Sequence, residues 1–284
     1  MSATVIDLLH QGRPNVIACY LVGDGEPSLV DCGPASCAST LVAGLADAGL
    51  ELTDVRRVIL THIHLDHAGA AGTLVRRHPG LEVHVSEIGL PHLADPARLE
   101  RSARRLYGDD FERLWGELVP VPTENLYPLG DRVADLEAFP TPGHAWHHVS
   151  FIGPDGACYV GDATGVRVGA SSFLAPASPP PEIDLEAWWA TLDELERRAP
   201  TRFALSHFGL VQDPVEHLAL MRERLAAWAE RVRSGASEQE FVEAAEEELR
   251  GGTKPGVADS YVWAGSFEQS YAGLKRYWDK KAAA

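Results

Sequence analysis

Four side chains able to hold a metal ion fall within residues 62–67: His62, His64, Asp66 and His67, in Thr61-His62-Ile63-His64-Leu65-Asp66-His67-Ala68-Gly69. The apolar run Val58-Ile59-Leu60 leads into them. Side chains repeat their direction every second residue along a strand, so an extended Thr61–His64 segment turns His62 and His64 to one side, within reach of a single ion. A turn into helix near Leu65 swings Asp66 and His67 away from that pair, toward a second ion. Small apolar residues from Ala68 to Val75 suit that helix, and His78-Pro79 ends it. Imidazole with carboxylate suits zinc and its neighbours, with Zn–N of about 2.0–2.1 Å. Two divalent ions roughly 3.5–4 Å apart can share a water and lower its pKa from about 15.7 toward 7, which supplies hydroxide at neutral pH.

The pattern His-x-His-x-Asp-His after a hydrophobic strand resembles the signature of the metallo-β-lactamase superfamily. Further positions of that signature follow in order: His144 in Thr141-Pro142-Gly143-His144, Asp162 after Ala157–Val160 and Gly161, and His207 after Phe203-Ala204-Leu205-Ser206. Single histidines are most often hydrogen-bonded core or surface groups; here five histidines and two aspartates recur where loops follow strands, the usual place for functional groups. The resemblance implies one metal held by His62, His64 and His144 and a second by Asp66, His67 and His207, with Asp162 bridging. It implies two divalent ions, zinc first, with iron or manganese as alternatives, and makes Asp66 and Asp162 catalytic as ligands that also orient the hydroxide. The implied fold is α+β, a four-layer αββα sandwich with a C-terminal helical extension.

Composition sets the frame. The chain has 284 residues, 45% hydrophobic and 23% charged, as in an ordinary soluble globular protein. With 41 acidic and 25 basic residues the formal charge is −16, which repels phosphate backbones and anionic membranes. A small-molecule substrate is therefore expected, with no nucleic acid and no membrane partner; a homodimer is left open. Arg101-Ser102-Ala103-Arg104-Arg105 is a local basic exception that reads first as a solvated helix face. The start, Met1-Ser2-Ala3-Thr4-Val5-Ile6-Asp7, has neither the basic opening nor the apolar core of a signal peptide, so a cytoplasmic protein is expected. Cys19, Cys32, Cys37 and Cys158 lack C-x-x-C spacing and read as buried small hydrophobes.

The remaining elements position the motif. Val16–Val22, the turn Gly23-Asp24-Gly25 and Ser28–Gly33 read as a hairpin, with Asp31 in a structural role beside the ligands. Ser39–Ala48 reads as a helix and Leu81–Val85 as a half-buried strand whose His84 faces solvent. Pro91–Leu118, with Arg98, Arg101, Arg104, Arg105, Tyr107, Phe111 and Trp115, is helical: a candidate substrate lid over 88–118, or a helical pair packed on the sheet edge. Leu136–Phe139, Val149–Ile152 and Ala157–Val160 read as strands. His147 and His148 read as strand-entry residues exposed to solvent or as partners of the ligand His144. Beyond the proline-rich break 176–181, Asp184–Arg197 forms a helix with Trp188, Leu192 and Leu195 on one face. After His207 the chain reads as wholly helical: Pro214–Arg233, Ser237–Arg250 and Ser260–Lys281, with Gly251-Gly252 between the last two. The expected division is a catalytic domain over 1–210 and a helical extension over 211–284.

That tail resembles the helical appendage of glyoxalase II-like members, where Tyr261, Trp263, Tyr271, Lys275 and Tyr277 could meet an acyl carrier or leaving group. The expected activity is hydrolysis of a small thioester or ester at a dinuclear site, of EC 3.1 type. A lactonase on the same site is an alternative; lactonases of the family place a tyrosine shortly after the bridging aspartate, and Asp162-Ala163-Thr164-Gly165 has none, which lowers that reading while Tyr107 or a tail tyrosine could substitute in space. A mononuclear iron persulfide dioxygenase is the redox alternative. A non-catalytic binding module fits poorly, because no ligand position is lost.

Overall fold

The computed structural model describes residues 3–23, 25–254 and 256–283. Met1 and Ser2 at the chain start, and Asp24 of the expected hairpin turn, lie outside the described residues. Among the described residues, twelve strands form two mixed six-stranded sheets, and with the helices they make the fold α+β. The first sheet runs in chain order: β1 (Thr4–Asp7), β2 (Ala18–Val22), β3 (Ser28–Val30), β4 (Arg57–Ile59), β5 (Glu82–Val85) and β6 (Leu126–Pro128). The second comprises β7 (Arg132–Val133), β8 (Leu136–Pro140), β9 (Val149–Ile152), β10 (Ala157–Gly161), β11 (Arg202–Leu205) and β12 (Gly209–Val211). The chain divides into two compact units, residues up to 139 with 149–155, and residues 140–148 with 156 onward.

In the first unit, β1–β2–β3 are antiparallel and β3–β4–β5–β6 parallel. Parallel neighbours need crossovers, and helices supply them: α1 (Ala38–Asp47), then α2 (Leu65–Ala68) with α3 (Ala71–Arg77), then α4 (Leu90–Ala94), α5 (Ala97–Tyr107) and α6 (Phe111–Trp115). Val30 pairs with Ile59, so the chain leaves β3 and β4 side by side at one edge of the sheet. Leu65, buried within α2, packs with Ala103, Phe111 and Trp115, which ties the α5–α6 segment to the histidine loop.

In the second unit, β10 and β11 are parallel and Gly161 pairs with Leu205, so the segments that follow also start beside one another. Helix α7 (Leu185–Arg198) buries Trp188, Leu192 and Leu195 completely, and the Asp184 carboxylate accepts from the Ala187 N–H at 2.9 Å, a helix cap. Helices α8 (Pro214–Arg233), α9 (Glu238–Gly252), α10 (Ala258–Ala264) and α11 (Phe267–Ala283) belong to this unit. Among the described residues, no helix is long and apolar enough to cross a membrane.

Several elements depart from expectation. Thr61–His64 is loop, since β4 ends at Ile59. The motif helix breaks at Gly69-Ala70 between α2 and α3. The segment 91–118 holds three short helices. A strand, β12, follows His207, paired with β11 from Phe203↔Val211 to Leu205↔Gly209. Gly251 and Gly252 belong to the last turn of α9, where a Cβ on Gly252 would stand 2.7 Å from that of Phe173. The expected helix over 260–281 is two, because the Ser266 hydroxyl accepts from the Gln269 N–H at 3.2 Å and restarts the chain as α11.

Candidate metal centre

The ligand candidates of the first unit are held by Asp31, just past β3. Its backbone N–H donates to Ile59 at 2.9 Å, and its buried carboxylate accepts from the Thr61 N–H at 2.8 Å and from the Thr61 hydroxyl at 2.9–3.0 Å. His67 Nδ1–H donates to the same carboxylate at 2.8 Å. The His67 carbonyl in turn accepts from the N–H groups of Cys32 and Gly33 at 2.8 and 3.1 Å. One carboxylate therefore fixes both ends of the histidine loop. With Nδ1–H committed to Asp31, the His67 Nε2 lone pair is available to an ion, the arrangement by which an outer partner sets a metal-binding tautomer.

Within that loop His62 Nε2 stands 3.1 Å from His64 Nδ1, and the His62 and His67 rings lie 4.0 Å apart by centroid. His67 Nε2 is 3.7 Å from Asp66 Oδ2. His62 and His67 are fully buried, while His64 and Asp66 are partly exposed, as ligands at the mouth of a cleft would be.

The second unit repeats the logic. Gly143, at φ 135°, brings the chain against Trp188, and His144 Nδ1–H donates to the Ala177 carbonyl at 2.6 Å. His144 Nε2 then lies 3.4 Å from Asp162 Oδ2, and His207 Nε2 lies 3.5 Å from Asp162 Oδ1. All three residues are buried. Each oxygen of Asp162 thus faces a different imidazole, as a bridging carboxylate requires.

These spacings test whether the donor set fits a cation. Two donors each about 2.0–2.1 Å from a tetrahedral ion stand about 3.3–3.4 Å apart. The observed separations of 3.1, 3.4, 3.5 and 3.7 Å bracket that value, so the residues present fit a divalent metal.

His147 and His148 are both buried, which corrects the reading of either as an exposed strand-entry residue. His148 Nδ1–H donates to the Thr141 hydroxyl at 2.7 Å, and its Nε2 accepts from the Asp162 N–H at 3.2 Å. It therefore holds the Asp162 backbone, a role carried by a Thr–His pair seven residues apart. His147 Nε2 lies 3.4 Å from Glu182. His84 pairs with Glu82 at 3.1 Å and stacks on Tyr127, so it is half-buried, and burial lowers its pKa. The four cysteines are free and buried, and burial pushes their thiols up into the neutral form.

The chain is 34% identical over 140 residues to the type A flavoprotein fprA of Rhodobacter capsulatus, covering 49% of this chain and only 29% of the flavoprotein. It is 28% identical over 167 residues to the atrochrysone carboxyl ACP thioesterase of Passalora fulva, covering 55% of this chain and 41% of that protein. Among solved structures, the archaeal metallo-β-lactamase superfamily protein ST1585 from Sulfolobus tokodaii aligns over 96% of this chain and 98% of its own at TM-score 0.68 and 20% identity. TTHA1623, solved in a di-iron-bound form, aligns over 73% of this chain and 93% of its own at TM-score 0.54 and 25% identity. A profile of the metallo-β-lactamase superfamily matches residues 12–207. The chain belongs to the metallo-β-lactamase superfamily.

Proposed function

We propose that the protein hydrolyses a carboxylic thioester or ester at a dinuclear metal centre, glyoxalase II-like in its site. One observation carries the reading: imidazoles in both units have their Nδ1–H tied to fixed acceptors, leaving Nε2 as a metal donor beside a carboxylate. Support for the grouping comes from the sorting of candidate ligands into His62, His64, His144 and Asp162, and into Asp66, His67 and His207. Divalent ions bound there, zinc first, would supply Lewis acidity, lowering the pKa of water and polarising the scissile carbonyl. Asp66 and Asp162 orient the attacking water by accepting its hydrogen bond. Asp31, Ala177 and His148 keep the imidazoles and Asp162 from turning away. The thioesterase relative supports the thioester over other acyl substrates.

A second reading, an iron-dependent redox enzyme, is favoured by the flavoprotein relative and the di-iron form of TTHA1623. Elemental analysis with a panel of thioester, lactone, aryl ester and phosphodiester substrates decides between them. Two ions per chain and thioester cleavage without oxygen are expected, and Asp162→Ala should abolish turnover and deplete both ions. Iron with oxygen consumption and no thioester cleavage would replace hydrolysis by the redox reading.

A further inference from the structure

Helix α5 has two faces. Inward, Ala103 is buried and Leu99 packs in the cluster around Leu65, the residue between His64 and Asp66. Outward, Arg98, Arg101 and Arg105 are exposed at i, i+3 and i+7, a stripe within about 60° of the helix circumference. Among the described residues, none of these three guanidiniums has an acidic partner, whereas neighbouring Arg104 pairs with both Glu100 and Glu112. The arrangement works against the helix itself. Arg101 and Arg105 repel at i,i+4, and Arg98 sits in the first turn, where a cation opposes the helix dipole. Such a stripe is out of character for a chain whose formal charge is −16.

Beneath the same helix lies a narrow apolar crevice lined among others by Ile63, Leu65, Leu93, Pro96, Leu99 and Val121, which ties the helix to the histidine loop. Ile63 and Leu65 alternate with His62, His64 and Asp66 along the chain, so the crevice adjoins the histidine loop.

We infer that the Arg98–Arg101–Arg105 face docks an acidic carrier protein that presents the acyl thioester. This rests on the thioesterase reading above and names its substrate class. Charge complementarity favours this partner: three cations on an acidic molecule suit a compact acidic surface, while a long polyanion or an anionic bilayer would also meet the surrounding negative charge. Rim charges act mainly on encounter and specificity, so the effect should be sensitive to salt.

The test uses the full-length metal-loaded protein and a triple variant, R98E/R101E/R105E, whose changes lie outside the metal centre. Two substrates are compared: a purified acidic acyl carrier protein bearing an octanoyl thioester, and octanoyl-N-acetylcysteamine. The variant should lose about tenfold or more in kcat/KM on the carrier at low salt, less at high salt, with the small thioester cleaved at the wild-type rate. Equal loss on both substrates, or no loss on the carrier, overturns the docking face. Fluorescence anisotropy of labelled carrier without its acyl group reads docking independently of turnover. Arginine-dependent binding without hydrolysis would retain the face and reject the thioesterase reading, and hydrolysis of the small thioester without carrier binding would do the reverse. Arginine-dependent binding of single-stranded RNA or phosphatidylglycerol vesicles in place of the carrier would also overturn the proposal.

Discussion

At the scale of single residues, the side chain that decides the first half-site is Asp31, which binds no metal in the proposed scheme. Its carboxylate accepts from Thr61 and from His67 Nδ1–H, so it sets both the loop path and the tautomer of His67. Asp31→Asn keeps the size but exchanges one acceptor oxygen for an N–H₂ donor, which faces either the His67 Nδ1–H or the Thr61 N–H. Loss of such an outer partner costs about 10- to 100-fold in metal affinity. Competition against a chromophoric zinc chelator should show that loss, with the far-ultraviolet circular dichroism of the variant unchanged. Wild-type affinity in Asp31→Asn would remove Asp31 from the scheme. The spacing of His62, His64, Asp66 and His67 made this region legible from sequence, and Asp31, within the strand read over Ser28–Gly33, was given a structural role beside the ligands. His148 was read only as an exposed strand-entry residue or a partner of His144, because its actual role lies in accepting a backbone N–H from Asp162, a contact that no spacing encodes.

At the scale of elements, six of the seven ligand candidates sit where parallel strands end in register, Val30 beside Ile59 and Gly161 beside Leu205, and His144 follows β8. Apolar runs revealed these strands, and the helices α7 and α8 were read from periodicity to within a residue. The missed strands β1, β6, β7 and β12 have only two to four residues, too few to display a period of two. The break between α10 and α11 was hidden for a different reason, since it depends on one hydroxyl, that of Ser266, capping a new helix inside an otherwise helical composition. Gly143 joins element to site. Its φ of 135° belongs to glycine, and a Cβ there would lie 2.4 Å from the Trp188 Cα and Cβ atoms in α7. Gly143→Ala must therefore displace α7 or the loop carrying His144. A stability loss of at least about 2 kcal/mol is expected in urea unfolding, together with a reduced metal stoichiometry. An alanine variant that unfolds at the wild-type midpoint with full metal content would show that the approach can relax.

At the scale of the whole molecule, stability should carry a pH signature from a histidine outside the metal centre. His217 lies on the inward stripe of α8 with Met221, Leu225, Trp228 and Val232, a placement legible from helical periodicity alone. What periodicity leaves open is its protonation state. In the fold its Nε2–H donates to the Thr164 carbonyl at 3.0 Å. Burial first, and the nearby Arg167 second, push its pKa down to about 3. An unfolded histidine titrates near 6.5, so between about pH 6.5 and 3 the unfolded chain binds a proton that the folded chain refuses. The stability contribution is fully present above about 6.5 and is lost as pH falls; by pH 5 the loss is about 2 kcal/mol. His217→Gln keeps an N–H donor for the Thr164 carbonyl but cannot take up that proton. Its stability at neutral pH should be equal to or below that of the wild type, and its decline between pH 7 and 5 should be shallower by about 2 kcal/mol. Urea midpoints across that range, taken on metal-free protein so that ligand protonation does not contribute, read the difference directly. Parallel pH profiles for the two proteins would mean that His217 titrates in the fold much as it does in the unfolded chain.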